Sequence, residues 1–402
     1  MTDNLAAQFL LDRAVTFLNH GSYGACPRPV FAEYQRWQLQ LERQPVAFLD
    51  PARGLGGWMR QARAAMAAEV GAAPDDLVGL TNATVGLNIV AQSLDLRAGD
   101  QILTTDHEYA ALDKTWAYVC RKTGAKVVPV TIPLPLTDAA QFTDALLAGI
   151  TDRTRVLFLS HITSATALVF PIHRIVAEAR ARGIWTVIDG AHAPGQIALD
   201  LDTLGADFYA GNCHKWLMAP KGSAFLHVRR DMQPLINPLV ISHGWTPDSN
   251  QAAEGPFGNP SFIDRLEMQG TRDPAAWLSV PAALDFRRDH GWAKVARQCQ
   301  RLVQDTAARV GLMTGLPPLS SPEVSAPQMV SMPVPTCDMA RLEADLLARY
   351  AIEIPCFTWQ DHHIVRVSAQ GYNTAADMDA LVAALAALLP VGHQTPAGGT
   401  FA

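Results

Sequence analysis

The sequence predicts an α/β fold, with a large domain on a seven-stranded, mostly parallel sheet and a smaller α+β C-terminal domain after it. Three observations carry that expectation. From about residue 58, short apolar β-rich runs alternate with helix-period segments, as parallel strands joined by helical crossovers require. The runs ADFYAGN at 206–212 and GSAFLHV at 222–228 stand too close together for a helical crossover, so the last strand turns back antiparallel. Beyond residue 274 the order changes to helix, strand, helix.

The elements follow one another in this order. WMRQARAAMAAEV at 58–70 is a helix rich in Ala and Met, stopped by Gly71. Strands are expected at 77–81, 101–105, 126–132, 155–161 and 184–190, and their continuous apolar character predicts burial on both faces. ATVGLNIVAQSL and IHRIVAEARARG are helices between them, the second closed by Gly183. The stretch from His243 to Pro274 is rich in Gly, Pro, Asn and Ser without a sustained period, which reads as a long functional loop and domain boundary. MARLEADLLARY is then helical, IVRVSA is a strand, and TAADMDALVAALAALL opens with a Thr374/Asp377 capping pair. The final VGHQTPAGGTFA reads as a frayed tail. The expected division is an N-terminal segment lining the site at 1–25, a large domain at 26–265, a small C-terminal domain at 266–392 and a tail at 393–402.

Composition narrows the classes of function. The 402 residues allow about two to three units of roughly 150 residues each. With 32 basic and 38 acidic side chains the net charge is −6, which points to neither a nucleic-acid nor a membrane partner. Six scattered cysteines without a C-x-x-C pair read as reduced thiols. MTDNLAAQFLLDRAV lacks the basic start and cleavage pattern of a secretory signal, and no apolar stretch reaches the ~20 residues that span a bilayer, so the protein is expected to stay in the cytoplasm.

Four segments carry chemistry. In NCHKWLMAPKGSAFLHV at 212–228, Lys215 follows a strand and precedes a loop rich in Gly and Pro, where it can point into a cleft. An amine that forms a Schiff base must be desolvated or near another positive centre; a surface lysine is the plain alternative. In WTVIDGAHAPG at 185–195, Asp189 ends an apolar strand 26 residues before Lys215. If Lys215 anchors a pyridine aldehyde, a buried carboxylate opposite the ring nitrogen keeps it protonated and makes the ring an electron sink; alone, Asp189 would be a cap or turn residue. LTNATVGLN at 80–88 runs a strand through Asn82, Ala83 and Thr84 into a helix, whose N-terminus offers free N–H groups to a phosphate, though Asn82 and Thr84 are equally good caps. In TTDHEYAALD at 104–113, His107 can stack on a ring or be an ordinary strand-end residue.

Together these segments resemble the class V aminotransferase family of fold-type I enzymes dependent on pyridoxal 5'-phosphate (PLP), over nearly the whole chain. FLNHGSYGACPRPV at 17–30, CHKWLMAPKGSAFLHV at 213–228 and IVRVSAQGYN at 364–373 are similar in particular to isopenicillin N epimerase-like proteins. The resemblance implies a PLP enzyme acting at the Cα of an amino acid, an epimerase first, with a C–S lyase or an aminotransferase as alternatives. A binding protein that has lost catalysis is a second alternative, against which Lys215 and Asp189 argue. It further implies that Lys215 holds the cofactor, Asp189 pairs with the pyridine nitrogen, and His192 hydrogen-bonds the phenolic oxygen. His107 would stack over the ring, and Thr84, Asn212 or the Cys213 backbone, and His214 would surround the phosphate. Asn19, His20 and Tyr23 would lie near the substrate and Arg366 would clamp its carboxylate. Thr271, in QGTRD, would reach the partner's phosphate across a homodimer. Cys356 has apolar β-rich flanks, unlike the mobile nucleophile of a desulfurase, and reads as a core residue. Asp361, His362 and His363 read as a turn, and no metal is expected.

Overall fold

The computed structural model describes residues 5–390. The segment read as a frayed tail lies outside the described residues. Residues 1–4, on which the reading of the N-terminus partly rests, do too.

The large sheet contains strands β2 (Leu77–Leu80), β3 (Gln101–Thr105), β4 (Lys126–Val130), β5 (Thr154–Ser160), β6 (Trp185–Asp189), β7 (Phe208–Asn212) and β8 (Ala224–Val228), in the spatial order β2-β8-β7-β6-β5-β3-β4. Neighbours from β7 across to β4 run parallel, whereas β8 is antiparallel to both β7 and β2. The short loop before β8 forces that reversal, as the sequence spacing requires. Four of the parallel strands end in polar residues, Thr105, Ser160, Asp189 and Asn212. Side chains at these carboxyl ends face the crevice where open α/β sheets bind ligands.

Burial on both faces holds for six strands and fails for β4, which is half-buried to exposed along its length. It is the sheet edge, and Pro129 in its middle, lacking an N–H donor, belongs at an edge.

A second, antiparallel sheet in the order β11-β12-β9 joins β9 (Met329–Val334), β11 (Cys356–Trp359) and β12 (His362–Ser368). Helices Trp292–Thr314, Met339–Tyr350 and Ala375–Leu388 accompany it, the last opened by the Thr374/Asp377 capping box. Two short strands, β1 (Thr16–Phe17) and β10 (Ile352–Glu353), pair in parallel, and Ser368 N–H donates to Leu18 O at 2.9 Å. The N-terminal segment is thereby fixed to the second sheet beside β12.

The 243–274 stretch is not the uninterrupted loop its composition predicts. It contains the fully buried helix Ser261–Glu267. There the Asp264 carboxylate accepts from Phe257 N–H and Asn259 Nδ2, both at 2.7 Å, and Arg265 donates to the Gln233 and Ile236 carbonyls. Order comes from buried side-chain to main-chain bonds, which leave no apolar period to read. Helices Ala275–Leu278 and Val280–Asp289 pack against Arg28–Arg43 and Gly56–Val70, so we propose that the division between the two units falls near Gly291. No helix among the described residues is long and apolar enough to cross a membrane.

Gly195 holds the turn after β6 directly against the segment after β7. Its φ is +89°, and a Cβ there would lie 2.7 Å from the Trp216 carbonyl carbon. Gly183, at φ +68°, has open space in the same direction. Gly183→Ala should therefore lose only the left-handed strain, about 1 kcal/mol, while Gly195→Ala must also displace backbone and should lose roughly 2 kcal/mol or more. Urea unfolding of both variants measures the difference, and equal losses would show that the two turns are not tightly packed.

Candidate active site

Lys215 lies just past β7, and its Nζ sits 3.0 Å from His192 Nε2. His192 belongs to the turn after β6, where Asp189 Oδ1 accepts from Ala191 N–H at 2.8 Å. The parallel pairing of β6 with β7, Asp189 opposite Ala210, brings the two turns together. Arg366 comes from β12 of the second sheet, with its Nη1 bonded to Ser164 O and Oγ and its Nη2 to Ser22 Oγ at 3.2 Å. Among the described residues Arg366 Nε has no hydrogen-bond partner. A guanidinium uses Nε and Nη2 as its side-on bidentate edge, so the arginine is tethered through both Nη nitrogens while the Nε of that edge is unspent.

These charges perturb one another. Burial and then the nearby Arg366 lower the Lys215 ammonium from its ordinary 10.5 to about 7, opposed by Asp189. Burial lowers Arg366 itself to about 10. Asp189 is raised above the usual carboxylate range by burial, with Ala191 N–H and Lys215 opposing. His192 is held well below an ordinary imidazole by burial, then by Lys215, Arg366 and His214. A site with a neutral amine, a neutral imidazole and a carboxylate lacking a full counter-charge is suited to an electrophilic ring that carries its own positive nitrogen.

Several expected residues take other roles. His107 is completely buried, its Nδ1 2.8 Å from Thr166 Oγ1 and its ring against Trp359 (centroids 4.5 Å apart) and Phe170 (5.9 Å). Its ring is enclosed by protein on these sides, so the structure does not favour stacking on a cofactor. Tyr109, two residues on, is 45% exposed and within Coulombic reach of Arg366. His20 is buried: its Nε2 lies 3.0 Å from Lys215 O and its Nδ1 2.9 Å from Tyr372 OH. Tyr23 is 73% exposed, and Asn19 bonds Ser22, which in turn meets Arg366.

At the expected phosphate end, Asn82 caps helix Ala83–Ser93 by accepting from Val85 N–H at 2.9 Å. Ala83 N–H is spent on Asn212 Oδ1 at 2.8 Å, and the Cys213 and His214 N–H groups on Ser223 O. Thr84 is left as the first-turn residue without a bonded N–H or hydroxyl among the described residues. His214 Nδ1 lies 3.1 Å from Ser223 O, and burial, then Lys215, lower its pKa to about 4. Thr271 is exposed and lines a cavity of about 470 Å³ with Arg63, Asp264 and Glu267, and Lys215 is not among that cavity's lining residues.

Cys356 is buried in β11 and its thiol is pushed up by burial. His362 and His363 begin β12 instead of forming a turn; the turn is at Gln360 and Asp361. His362 stacks on Trp359 and His363 Nδ1 accepts from Cys337 N–H at 3.4 Å.

Sequence reasoning missed Ser22 and Ser164, whose contacts with Arg366 span 344 and 202 residues, and Tyr109, whose exposure no local pattern announces. It also missed Glu108, a buried carboxyl raised to about 8 mainly by burial, which accepts from Ser160 Oγ at 2.6 Å and Thr105 Oγ1 at 2.7 Å. Glu108 contacts the hydroxyl-bearing ends of two strands, and only Thr105, three residues away, was a local signal.

The family described as Aminotransferase class-V matches residues 33–381. An isopenicillin N epimerase of Amycolatopsis lactamdurans is 38% identical over 95% of this chain and 97% of its own length. A putative L-cysteine desulfhydrase 2 of Oryza sativa subsp. japonica is 32% identical over 95% of this chain and 86% of its own. The fold is similar to that of the cysteine desulfurase CsdA from Escherichia coli, with a TM-score of 0.80, 23% identity, and coverage of 96% of this chain and 97% of that one.

The lowered pKa has a direct consequence. Lowering an amine's pKa favours its neutral, nucleophilic form, so Lys215 should acylate with a midpoint near pH 7. Peptide mass mapping of the full-length protein across pH measures this. A Lys215 midpoint near 10.5 would mean the amine is solvated.

Proposed function

The chain belongs to the aminotransferase class-V family of PLP-dependent enzymes, and on that premise we propose that it acts at the Cα of a small amino-acid substrate, with epimerisation as its reaction. The observation that carries this reading is the convergence of the Lys215 amine, the buried Asp189 carboxylate and the unpartnered Nε of Arg366 from two sheets.

The residues present fit PLP. Asp189, raised by burial and short of a counter-charge, suits the pyridinium nitrogen, His192 suits the phenolic oxygen, and Thr84 at a helix N-terminus suits the phosphate. When bound, the cofactor supplies an electron sink that weakens the bonds at the substrate Cα. Lys215 holds or moves the proton at that carbon. Arg366 would orient the carboxylate, Ser164 and Ser22 fix the guanidinium, and the exposed Tyr109, not the buried His107, would be the aromatic side chain available to the cofactor. Epimerisation is favoured over the desulfurase route because Cys356 is a strand residue with a raised thiol pKa, unable to serve as a mobile nucleophile. The 38% identity to an epimerase supports the same choice.

We also propose a homodimer in which Thr271 completes the partner's phosphate site. Within one chain Thr271 faces a cavity that excludes Lys215, so a role at the phosphate requires a second copy, and a two-fold assembly would provide two equal sites.

Two measurements test these readings. The full-length protein with PLP should develop a visible band that borohydride removes and Lys215→Ala lacks, and in deuterium oxide it should place deuterium at Cα while interconverting L- and D-enantiomers. Sulfide release would identify a lyase instead, and an oxo acid an aminotransferase. Mixing inactive Lys215→Ala and Thr271→Arg chains should restore part of the activity, because a heterodimer holds one site with neither lesion; proven subunit exchange without activity would refute the shared site.

A further inference from the structure

Two buried side chains, Trp216 and His192, and the half-buried Lys215 lie in a row across the two turns that meet at the site. Trp216 Nε1 is 3.3 Å from His192 Nδ1, and His192 Nε2 is 3.0 Å from Lys215 Nζ. Trp216 is fully buried and rigidly seated: Arg287 Nη1 donates to its carbonyl at 2.7 Å, Gly195 packs on its backbone, and the His20 ring lies 5.0 Å from its indole.

An indole N–H is a donor only. His192 Nδ1 must therefore be the acceptor, without a proton of its own. The imidazole is neutral, being buried and facing Lys215, Arg366 and His214, so its single proton resides on Nε2. Nε2–H then donates toward Nζ, which has to answer with its lone pair. An ammonium at this position would set one donor against another. The alternative, with Nε2 bare, would need either an imidazolate or an Nδ1–H pointing at the indole N–H.

We propose that Trp216 is a positioning residue that locks His192 as the Nε2–H tautomer and so keeps the Lys215 lone pair exposed to the imidazole. Nothing else on the row is free to reverse it: His20 is occupied with Lys215 O and Tyr372, and Asp189, the one nearby acid facing Lys215, bonds Ala191 N–H. The proton order is independent of any cofactor. Its bearing on chemistry rests on the PLP reading, under which the same Nε2–H is the donor available to the phenolic oxygen. The sequence carries the device as a dipeptide, Lys215-Trp216, opposite the D-x-x-H turn.

The tautomer is directly observable. In the full-length protein freed of carbonyl compounds, with histidines labelled with nitrogen-15 and the signal assigned by its loss in His192→Gln, long-range proton–nitrogen spectra should show a bare, pyridine-type Nδ1 and a protonated Nε2. In Trp216→Phe, which keeps an aromatic ring and removes the donor, both tautomers should populate. The Lys215 acylation midpoint should then rise by about one pH unit, a tenfold change in the ratio of ammonium to amine, because an Nε2 lone pair can now accept from the ammonium. A protonated Nδ1 in the unsubstituted protein overturns the proposal even if Trp216→Phe does not fold. So does a folded Trp216→Phe protein with unchanged tautomer and midpoint. Absence of a visible band with PLP, beside the expected tautomer, would count against the cofactor reading alone.

Discussion

Burying a lysine amine within the field of a guanidinium is the constraint on which this structure turns. A buried ammonium costs several kcal/mol unless it is paired, and a neighbouring positive charge makes matters worse, so Lys215 is driven toward its neutral form. The surroundings accept that outcome instead of opposing it. Asp189 is close enough to attract the ammonium but is itself desolvated and bonded to Ala191 N–H, and the group in direct contact with Nζ is a neutral imidazole. The result is an amine whose nucleophilic form is accessible near neutrality without a general base having to remove its proton.

Holding that arrangement requires pieces far apart in the chain. The β1–β10 pair ties the N-terminal segment to the second sheet, and from there His20 reaches the Lys215 carbonyl and Ser22 reaches Arg366. On the other side the 163–168 loop contributes Ser164 to Arg366 and Thr166 to His107. Both sheets are thus represented at one arginine. The separation of Arg366 from Lys215 thus depends on the relative placement of the two sheets, because Arg366 lies in the second and Lys215 follows the first.

The buried histidines illustrate how context separates similar residues. His20, His107, His161 and His192 are all held neutral by desolvation, yet only His192 contacts the lysine amine. His20 supports the backbone of Lys215, His107 fills the space between Thr166 and Trp359, and His161 pairs with Tyr209 beneath the Asp189 turn.

Local sequence determined the strands of the large sheet, their directions, the helix stops at Gly71 and Gly183, and the strand-end positions of Lys215 and Asp189, because apolar period, turn chemistry and strand-end position are short-range properties. The resemblance carried by whole motifs added Arg366 and His192. Tertiary structure alone decided that β4 is an exposed edge, that helix Ser261–Glu267 is buried inside a polar stretch, and that His107 is buried while Tyr109 is exposed. It alone joined Ser22 and Ser164 to Arg366 and set Trp216 against His192. Such facts depend on which surfaces meet after folding, and a hydrogen bond between residues hundreds of positions apart leaves no periodic trace in either segment.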